Sequence, residues 1–225
     1  MRYEAAKLTG DTISISNSSD PYPNIEAEAA LTRRCLQILS KHDCRIQMIT
    51  KSNLVVRDAD LLMRIPSMVA LTITTDDDNT ARIIEPHAPP PSERLKAVEK
   101  LVQHGLPIAV RIDPIIPFVN DNPEKLIKEL ASLGVRHITS STYKAKPDNW
   151  RRLSVAMHKI ASRLRPLYFE KGERVGGYIC LPRDFRMRLM ENVRALAEKN
   201  GVRFGTCREG LSYLNTAVCD GSWLL

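Results

Sequence analysis

Residues 69 to 117 alternate between apolar runs and polar breaks in a way that few folds can accommodate. The segment V-A-L-T-I-T-T-D-D-D-N-T reads as a strand whose end carries Thr72, Thr74 and Thr75. The segment I-A-V-R-I-D-P-I-I-P reads as a second strand, broken by Arg111, Asp113 and two prolines. Between them Ser92 is expected as the N-cap of a helix with Leu95, Val98, Leu101 and Val102 on its apolar face, and Gly105 as its left-handed close. The result is a β-loop-α-β unit whose polar groups collect where the strands end.

The same alternation runs through most of the chain. A strand is expected over 12–16, followed by a loop from Asn17 that Asp20-Pro21 and Pro23 keep extended, and then by one helix over about 25–42. Residues 45–50 form the next strand, ending at Lys51, and a short helix over 58–64 stops at Pro66. Asn122 caps and Pro123 starts another helix through Leu126, Ile127 and Leu130, and a fifth strand over 135–139 leads into S-S-T-Y-K-A-K. A basic helix over 150–165 ends at Pro166, and a glycine-rich hairpin, a helix over 185–200, a short strand over 202–204 and a tail complete the chain.

Strands alternating with helices give a parallel α/β sheet joined by right-handed crossovers. No strand is followed by G-x-G-x-x-G or a Walker loop, which removes the main support for a nucleotide-binding doubly wound fold. The fold expected is therefore a partial (β/α) barrel over 1–165, with 166–225 as a small C-terminal α+β appendage packed on it. In such a barrel the site is built from the loops after the strands, which here carry Asp20, Lys51, Thr72, Thr74, Arg111, Asp113, Ser140 and Lys144.

Composition narrows the class further. The 225 residues are 43% apolar, enough for one substantial core, and no apolar run approaches the roughly 20 residues that span a bilayer. The opening M-R-Y-E-A-A-K-L-T-G lacks the apolar centre of a secretory signal, so a cytoplasmic location and no membrane partner are expected. Five cysteines, Cys35, Cys44, Cys180, Cys207 and Cys219, make a disulfide framework a poor fit to such a chain. The net charge of +7 permits a phosphate-bearing partner. The basic helix R-R-L-S-V-A-M-H-K-I-A-S-R-L-R, preceded by Lys144 and Lys146, is the candidate nucleic-acid surface, with a solvated helix face as the alternative.

Several of these pieces occur together in one known family. The order of S-S-D-P-Y-P-N-I-E, I-T-K-S before R-D-A-D-L-L, T-I-T-T, I-I-E-P-H-A-P-P-P-S-E-R-L, R-I-D-P-I-I-P, C-R-E-G and C-D-G-S resembles the radical S-adenosylmethionine superfamily. Within it the match is to the spore photoproduct lyase-like branch, also called DNA repair photolyase-like proteins. The resemblance implies a partial (β/α) barrel of radical S-adenosylmethionine type, S-adenosylmethionine and a [4Fe-4S] cluster as cofactors, and a 5′-deoxyadenosyl radical that acts on DNA lesions.

The motif that defines the chemistry, C-x-x-x-C-x-x-C, is absent from this sequence, so no catalytic residue is assigned. The resemblance implies that the cluster ligands precede Met1, that the barrel is truncated at the N-terminus, and that an electron donor serves the whole enzyme. A naturally cluster-free module that binds S-adenosylmethionine or nucleic acid is the alternative. The resemblance also assigns the S-adenosylmethionine site to Asp20, Lys51, Thr72, Thr74, Arg111, Ile116 and Pro117. Arg111 has a second reading as an internal partner of Asp113 or Glu85, and Glu85 with Arg94 reads as an ion pair bracketing the proline-rich loop. Cys180, Cys207 and Cys219 are the candidates for a second metal site, although no C-x-x-C pair supports one.

Overall fold

The computed structural model describes residues 2–16 and 18–225, and the side chains of all of these except Arg2 and Tyr3. Asn17, the first residue of the expected loop, lies outside the described residues. A short helix α1 (Arg2–Ala5) precedes strand β1 (Thr9–Ile15), and helices α2 (Glu26–Ala29) and α3 (Leu31–Leu39) lead to β2 (Asp43–Thr50). A 3-10 turn (Asn53–Asp58) and α4 (Ala59–Leu62) connect to β3 (Ser67–Thr72), and α5 (Asp78–Ile84) and α6 (Pro91–Gln103) connect to β4 (Ile108–Ile115). Then follow α7 (Glu124–Ser132), β5 (His137–Thr142), α8 (Pro147–Ala156), α9 (His158–Phe169), the hairpin β6 (Glu173–Val175) and β7 (Tyr178–Cys180), α10 (Arg183–Lys199) and β8 (Arg203–Thr206).

The main sheet has the order β1-β2-β3-β4-β5-β8, and every neighbouring pair in it is parallel. Strand order follows chain order with no reversal, so the crossovers stack on one side and leave the other side of the sheet concave. That is a partial (β/α) barrel, not a doubly wound sheet with a switch point. On the helix side, Ile46, Met48, Val69, Leu71, Val110 and Ile138 form one core with Leu36, Leu62, Val98, Leu101, Ile127 and Val193 from the helices. All six residues of β3 are buried, which explains its nearly unbroken apolar run.

The sixth strand lies beyond the boundary suggested at residue 165. The strand expected over 202–204 is β8, and it extends the barrel sheet by pairing His137 with Arg203 and Ser140 with Thr206. The C-terminal tail returns into the concave side. Gln47 Nε2 donates to the Asp220 carbonyl at 3.0 Å and Thr139 Oγ1 to the Cys219 carbonyl at 2.8 Å. Two glycines make room for it. A Cβ on Gly205 would lie 2.6 Å from Cys219 Cα, and one on Gly221, at φ +79°, would lie 3.0 Å from Ala109 Cβ.

Local expectations differ from the structure where side chains reach across elements. The helix expected over 25–42 is two helices, because Glu26 turns back to accept from Leu31 N and Thr32 N, both at 2.9 Å, and Ala30 between them takes φ 48°. Ser92 is not the N-cap of α6. The helix begins at Pro91, whose ring suits the first position, and Ser92 instead bonds Asp78 through N and Oγ at 3.0 and 2.6 Å. The loop before it holds the unforeseen α5, capped by Asp77. Asn122 does not cap α7, which starts at Glu124 after Pro123. The basic helix breaks at Met157, where φ is −139°, and then runs through Pro166 to Phe169, anchored by the buried Tyr168, whose hydroxyl donates to the Tyr143 carbonyl at 2.7 Å.

The tail is latched by His137. Thr139 gives its hydroxyl proton to Cys219, so His137 Nε2–H donates to Thr139 Oγ1 at 3.2 Å, and Nδ1 is left to accept from Trp223 Nε1 at 3.1 Å. Burial chiefly, and Arg111 secondarily, push the His137 pKa below its ordinary 6.5, with the Cys219 backbone and Asp220 opposing. Above pH 6.5 both the folded and unfolded chains hold this histidine neutral. As the pH falls through 6.5 the unfolded chain takes up its proton first, so stability is expected to decline until the lowered folded value is passed. Urea midpoints on either side of pH 6.5 measure this, and His137→Gln should flatten the histidine part of the profile.

Candidate functional site

Because the six strands are parallel, their C-terminal ends meet at one mouth of the barrel, and the polar residues that follow each strand meet with them. A groove of about 440 Å³ opens there, with Lys51, Thr74, Glu85, Tyr143, Asn149 and Arg152 among Ile84, Pro114, Ile116, Leu153 and Met157. A cleft of about 500 Å³ beside it shares Lys51, Ile84, Glu85, Pro86 and His87 and adds Asp20 and Tyr22. Inside the concave face lies a third cavity of about 580 Å³, lined by Ser14, Gln47, Arg111, Asp113, Ser141, Lys144, Tyr178, Cys207, Arg208 and Asp220 among others.

The residues expected at the site divide among these spaces. Lys51, Thr74 and Ile116 line the groove, Asp20 and Lys51 line the cleft, and Arg111 lines the inner cavity. Asp20 is a clamp on the end of β2. Its carboxylate accepts from Thr50 Oγ1 and Lys51 N, both at 2.6 Å, and from Tyr22 N at 2.9 Å. Lys51 extends from that clamp with Nζ 3.6 Å from Glu85, a loose contact that leaves it half-exposed. Thr74 donates its hydroxyl to Glu85 Oε1. Thr72 is buried on β3 and lines none of these spaces, but its carbonyl accepts from Arg94 Nη1 at 2.9 Å.

Arg111 pairs with Asp113 at 2.7 Å, and Asp113 also accepts from Ser141 Oγ at 2.5 Å. Burial works against the Arg111 charge, but Asp113 and the neighbouring Cys207 more than offset it, and its pKa is raised. Pro117 is buried, and the Ile116 backbone is already engaged: its N–H donates to Asn120 Oδ1 at 2.6 Å, and its carbonyl accepts from Val119 N and Asn120 N. Cys180, Cys207 and Cys219 do not assemble into a metal site. No group of three His, Cys, Asp or Glu among the described residues is arranged to hold a metal, and burial pushes the Cys180 and Cys219 thiols up, away from the thiolate form that binds metal.

Three residues that sequence reasoning did not assign to the site are prominent in it. Asn120 joins the ends of β3 and β4, donating to the Thr74 and Pro114 carbonyls at 2.7 and 3.0 Å. Tyr143 presents a buried hydroxyl with no partner in a groove wall, and Glu85 Oε2, although 2.8 Å from Arg94 Nη2, makes no aligned hydrogen bond. Glu209, buried, accepts from Thr142 N and Lys144 Nζ at 2.7 and 2.5 Å. For Glu209 the available signal was a carboxylate one residue before a glycine in C-R-E-G; for Asn120 and Tyr143 no local pattern marks them.

Comparison with known proteins fits this geometry. A sequence model of the Radical SAM superfamily matches residues 3–130. The chain belongs to that superfamily. Uncharacterized proteins are similar to it: one from Acidianus two-tailed virus is 33% identical over 137 residues, covering 57% of this chain and 45% of that protein. Another from Methanocaldococcus jannaschii is 37% identical over 110 residues, covering 48% and 42%. One from Mycobacterium tuberculosis is 27% identical over 200 residues, covering 84% and 57%. The chain thus spans about half the length of these relatives. Among solved structures, a spore photoproduct lyase complexed with dinucleoside spore photoproduct superposes with TM-score 0.68 at 17% identity, covering 87% of this chain and 61% of that one. A mutant of the lyase with bound AdoMet and the same dinucleoside gives 0.67 at 17%, covering 86% and 60%. At that identity the likeness establishes the fold alone.

Members of the superfamily generally use S-adenosylmethionine and a [4Fe-4S] cluster. The groove fits the former: it offers a cation in Lys51, a carboxylate in Glu85, an unsatisfied buried hydroxyl in Tyr143, and apolar walls in Ile84 and Ile116, within the usual size of a small-molecule site. The described residues do not fit the latter, since no set of three thiolates converges among them. Among the described residues, no helix is long and apolar enough to cross a membrane.

Proposed function

We propose that this chain forms the S-adenosylmethionine-binding wall of a radical enzyme that acts on a nucleic-acid lesion. The observation that carries the proposal is the Tyr143 hydroxyl, buried without a hydrogen-bond partner in the wall of a groove that also holds the half-exposed Lys51 ammonium and the Glu85 carboxylate. Buried polar atoms are nearly always satisfied, so an orphaned hydroxyl beside a loosely held cation points to a polar ligand. In this reading Lys51 holds the carboxylate of S-adenosylmethionine, Glu85 accepts from its hydroxyl or ammonium groups, and Ile84 and Ile116 flank the adenine. Asp20 acts through Lys51, as a positioning residue, by fixing its backbone N–H. Thr74 keeps the Glu85 carboxylate turned to the groove.

Bound S-adenosylmethionine would supply, on one-electron cleavage, a carbon radical able to take a hydrogen atom from a substrate. The cluster thiolates would come from outside the described residues, and no step is drawn through them. Support for a nucleic-acid substrate is the charge distribution: residues 144–175 hold nine Lys and Arg against three Asp and Glu, +6 of the chain's +7. The lyase neighbours, whose fold this chain shares, hold a dinucleoside photoproduct.

Isothermal titration calorimetry with S-adenosylmethionine tests the groove. Lys51→Ala should weaken binding by roughly 10- to 100-fold, the usual loss of a charge-assisted contact. Equal affinity in wild type and variant would remove Lys51 from the site. For the whole protein, anaerobic iron and sulfide reconstitution followed by a 5′-deoxyadenosine assay separates the readings: S-adenosylmethionine binding with no deoxyadenosine would identify a cluster-free binding module.

A further inference from the structure

The inner cavity brings three cations near its wall, and two of them already have anions. Arg111 is paired with Asp113 at 2.7 Å and Lys144 with Glu209 at 2.5 Å. Arg208 is exposed, lines the same cavity, and has no hydrogen-bond or ion-pair partner among the described residues. It sits two residues beyond the end of β8, at the mouth, whereas Asp220, the other carboxylate of the cavity, belongs to the tail on the floor beside Gln47.

The backbone on either side of Arg208 is pinned. Cys207 N donates to the Ser140 carbonyl at 2.9 Å. On the other side, Glu209 accepts through its side chain from Thr142 N and Oγ1 at 2.7 and 3.0 Å, and through its carbonyl from Arg186 Nη1 at 2.5 Å. Between these anchors Arg208 takes φ 56°, a left-handed conformation that a long side chain rarely adopts. Such conformations persist where surrounding contacts over-determine them, and they cluster at ligand sites. Here the buried Glu209 contacts hold an unpaired guanidinium at the cavity rim.

We infer that Arg208 is the phosphate-recognition residue of this site, binding a phosphodiester of the nucleic-acid strand next to the nucleotide that enters the cavity. A guanidinium fork suits phosphate oxygens. Lys144 and Tyr178 share the cavity with it, and they bound the stretch that carries nearly all of the net positive charge. Deeper in, Ser141 and Gln47 already donate to Asp113 and to the Asp220 carbonyl, and their acceptor oxygens suit a base edge instead of a second anion. The inference deepens the nucleic-acid reading above and rests on it.

The test is fluorescence anisotropy with a labelled short oligothymidylate and with its neutral methylphosphonate analogue, using wild type, Arg208→Gln and Arg208→Lys. For the anionic strand, Arg208→Gln should lose roughly tenfold in affinity, and its log affinity against log salt should flatten by about 0.7, one single-strand phosphate contact. Arg208→Lys should keep the slope while losing part of the affinity. The neutral analogue should bind wild type and Arg208→Gln alike, and S-adenosylmethionine titrations should give one affinity for both. An unchanged slope in Arg208→Gln, or an equal loss with the neutral analogue, overturns the inference. A loss of S-adenosylmethionine affinity in Arg208→Gln would assign the arginine to the cofactor and overturn it as well. Wild type that binds no oligothymidylate while still binding S-adenosylmethionine overturns both this inference and the nucleic-acid substrate, and leaves the groove reading standing.

Discussion

Replacing Arg94 by leucine should lower the stability of the fold by about 3–5 kcal/mol, the usual result of removing one partner from a buried ionic cluster. Arg94 is fully buried. Its Nε donates to the Pro89 carbonyl at 2.6 Å, its Nη1 to the Thr72 carbonyl at 2.9 Å, and its Nη2 lies 2.8 Å from Glu85. Leucine would leave two carbonyls without this donor and Glu85 with only Thr74 and a distant Lys51. The same arginine ties α6 to the end of β3, so the loss should also loosen the groove. Equilibrium urea unfolding measures the effect as a fall in midpoint at constant slope. A change under about 1 kcal/mol would mean that the cluster relaxes or admits water, and that the desolvation argument fails here. Arg94→Lys keeps the charge but not the fork, and should recover only part of the stability.

Glu209→Gln is expected to cost about 3 kcal/mol for a related but distinct reason. The amide can still accept from Thr142, so the backbone contact survives. What is lost is the counter-charge. Lys144 has no other anionic partner among the described residues, whereas Arg186 keeps Glu173 at 2.7 Å. The lysine, with 13% of its side chain exposed, must then turn toward solvent or the inner cavity. Glu209→Gln therefore carries two readouts: a lower urea midpoint, and weaker oligonucleotide binding if the backbone around Arg208 relaxes. A variant as stable as wild type would show that Thr142, not the charge pair, carries the contribution of Glu209. Double variants with Lys144→Met would separate the two, since removing both charges together should cost less than removing one.

Much of the barrel is legible in the sequence because parallel strands buried on both faces leave a plain record. Each run of Val, Ile and Leu, ended by hydroxyls or charges, marks a strand and its C-terminal end, and five of these runs overlap β1 to β5. Glycines 105, 134 and 201, which follow α6, α7 and α10, all take positive φ as helix-ending residues do. The ion pair of Glu85 and Arg94 was also readable, since a carboxylate and a guanidinium bracketing a proline-rich loop have few other partners. The helix breaks were not. Glu26 reads as an ordinary acidic residue in a first turn, and only its reach back to Leu31 and Thr32 divides the helix. Pro166 reads as a stop, but burial of Tyr168 carries α9 past it.

By itself, the sequence determined where the strands of the barrel lie, that helices alternate with them, that the sheet is parallel, and that polar residues gather at one end of it, because periodicity and strand-end chemistry are local properties. Tertiary structure alone decided that β8 closes onto β5, that the tail fills the concave side against Gly205 and Gly221, that Tyr143 lines the groove, and that Asn120 and Glu209 tie the strand ends beside it. It also decided which charges remain available. Arg111 and Lys144 are matched by Asp113 and Glu209, while Arg208 has no partner among the described residues. Apart from the Arg111–Asp113 pair on β4, those outcomes depend on contacts between residues far apart in the chain, up to 173 positions, set by packing that no local pattern encodes.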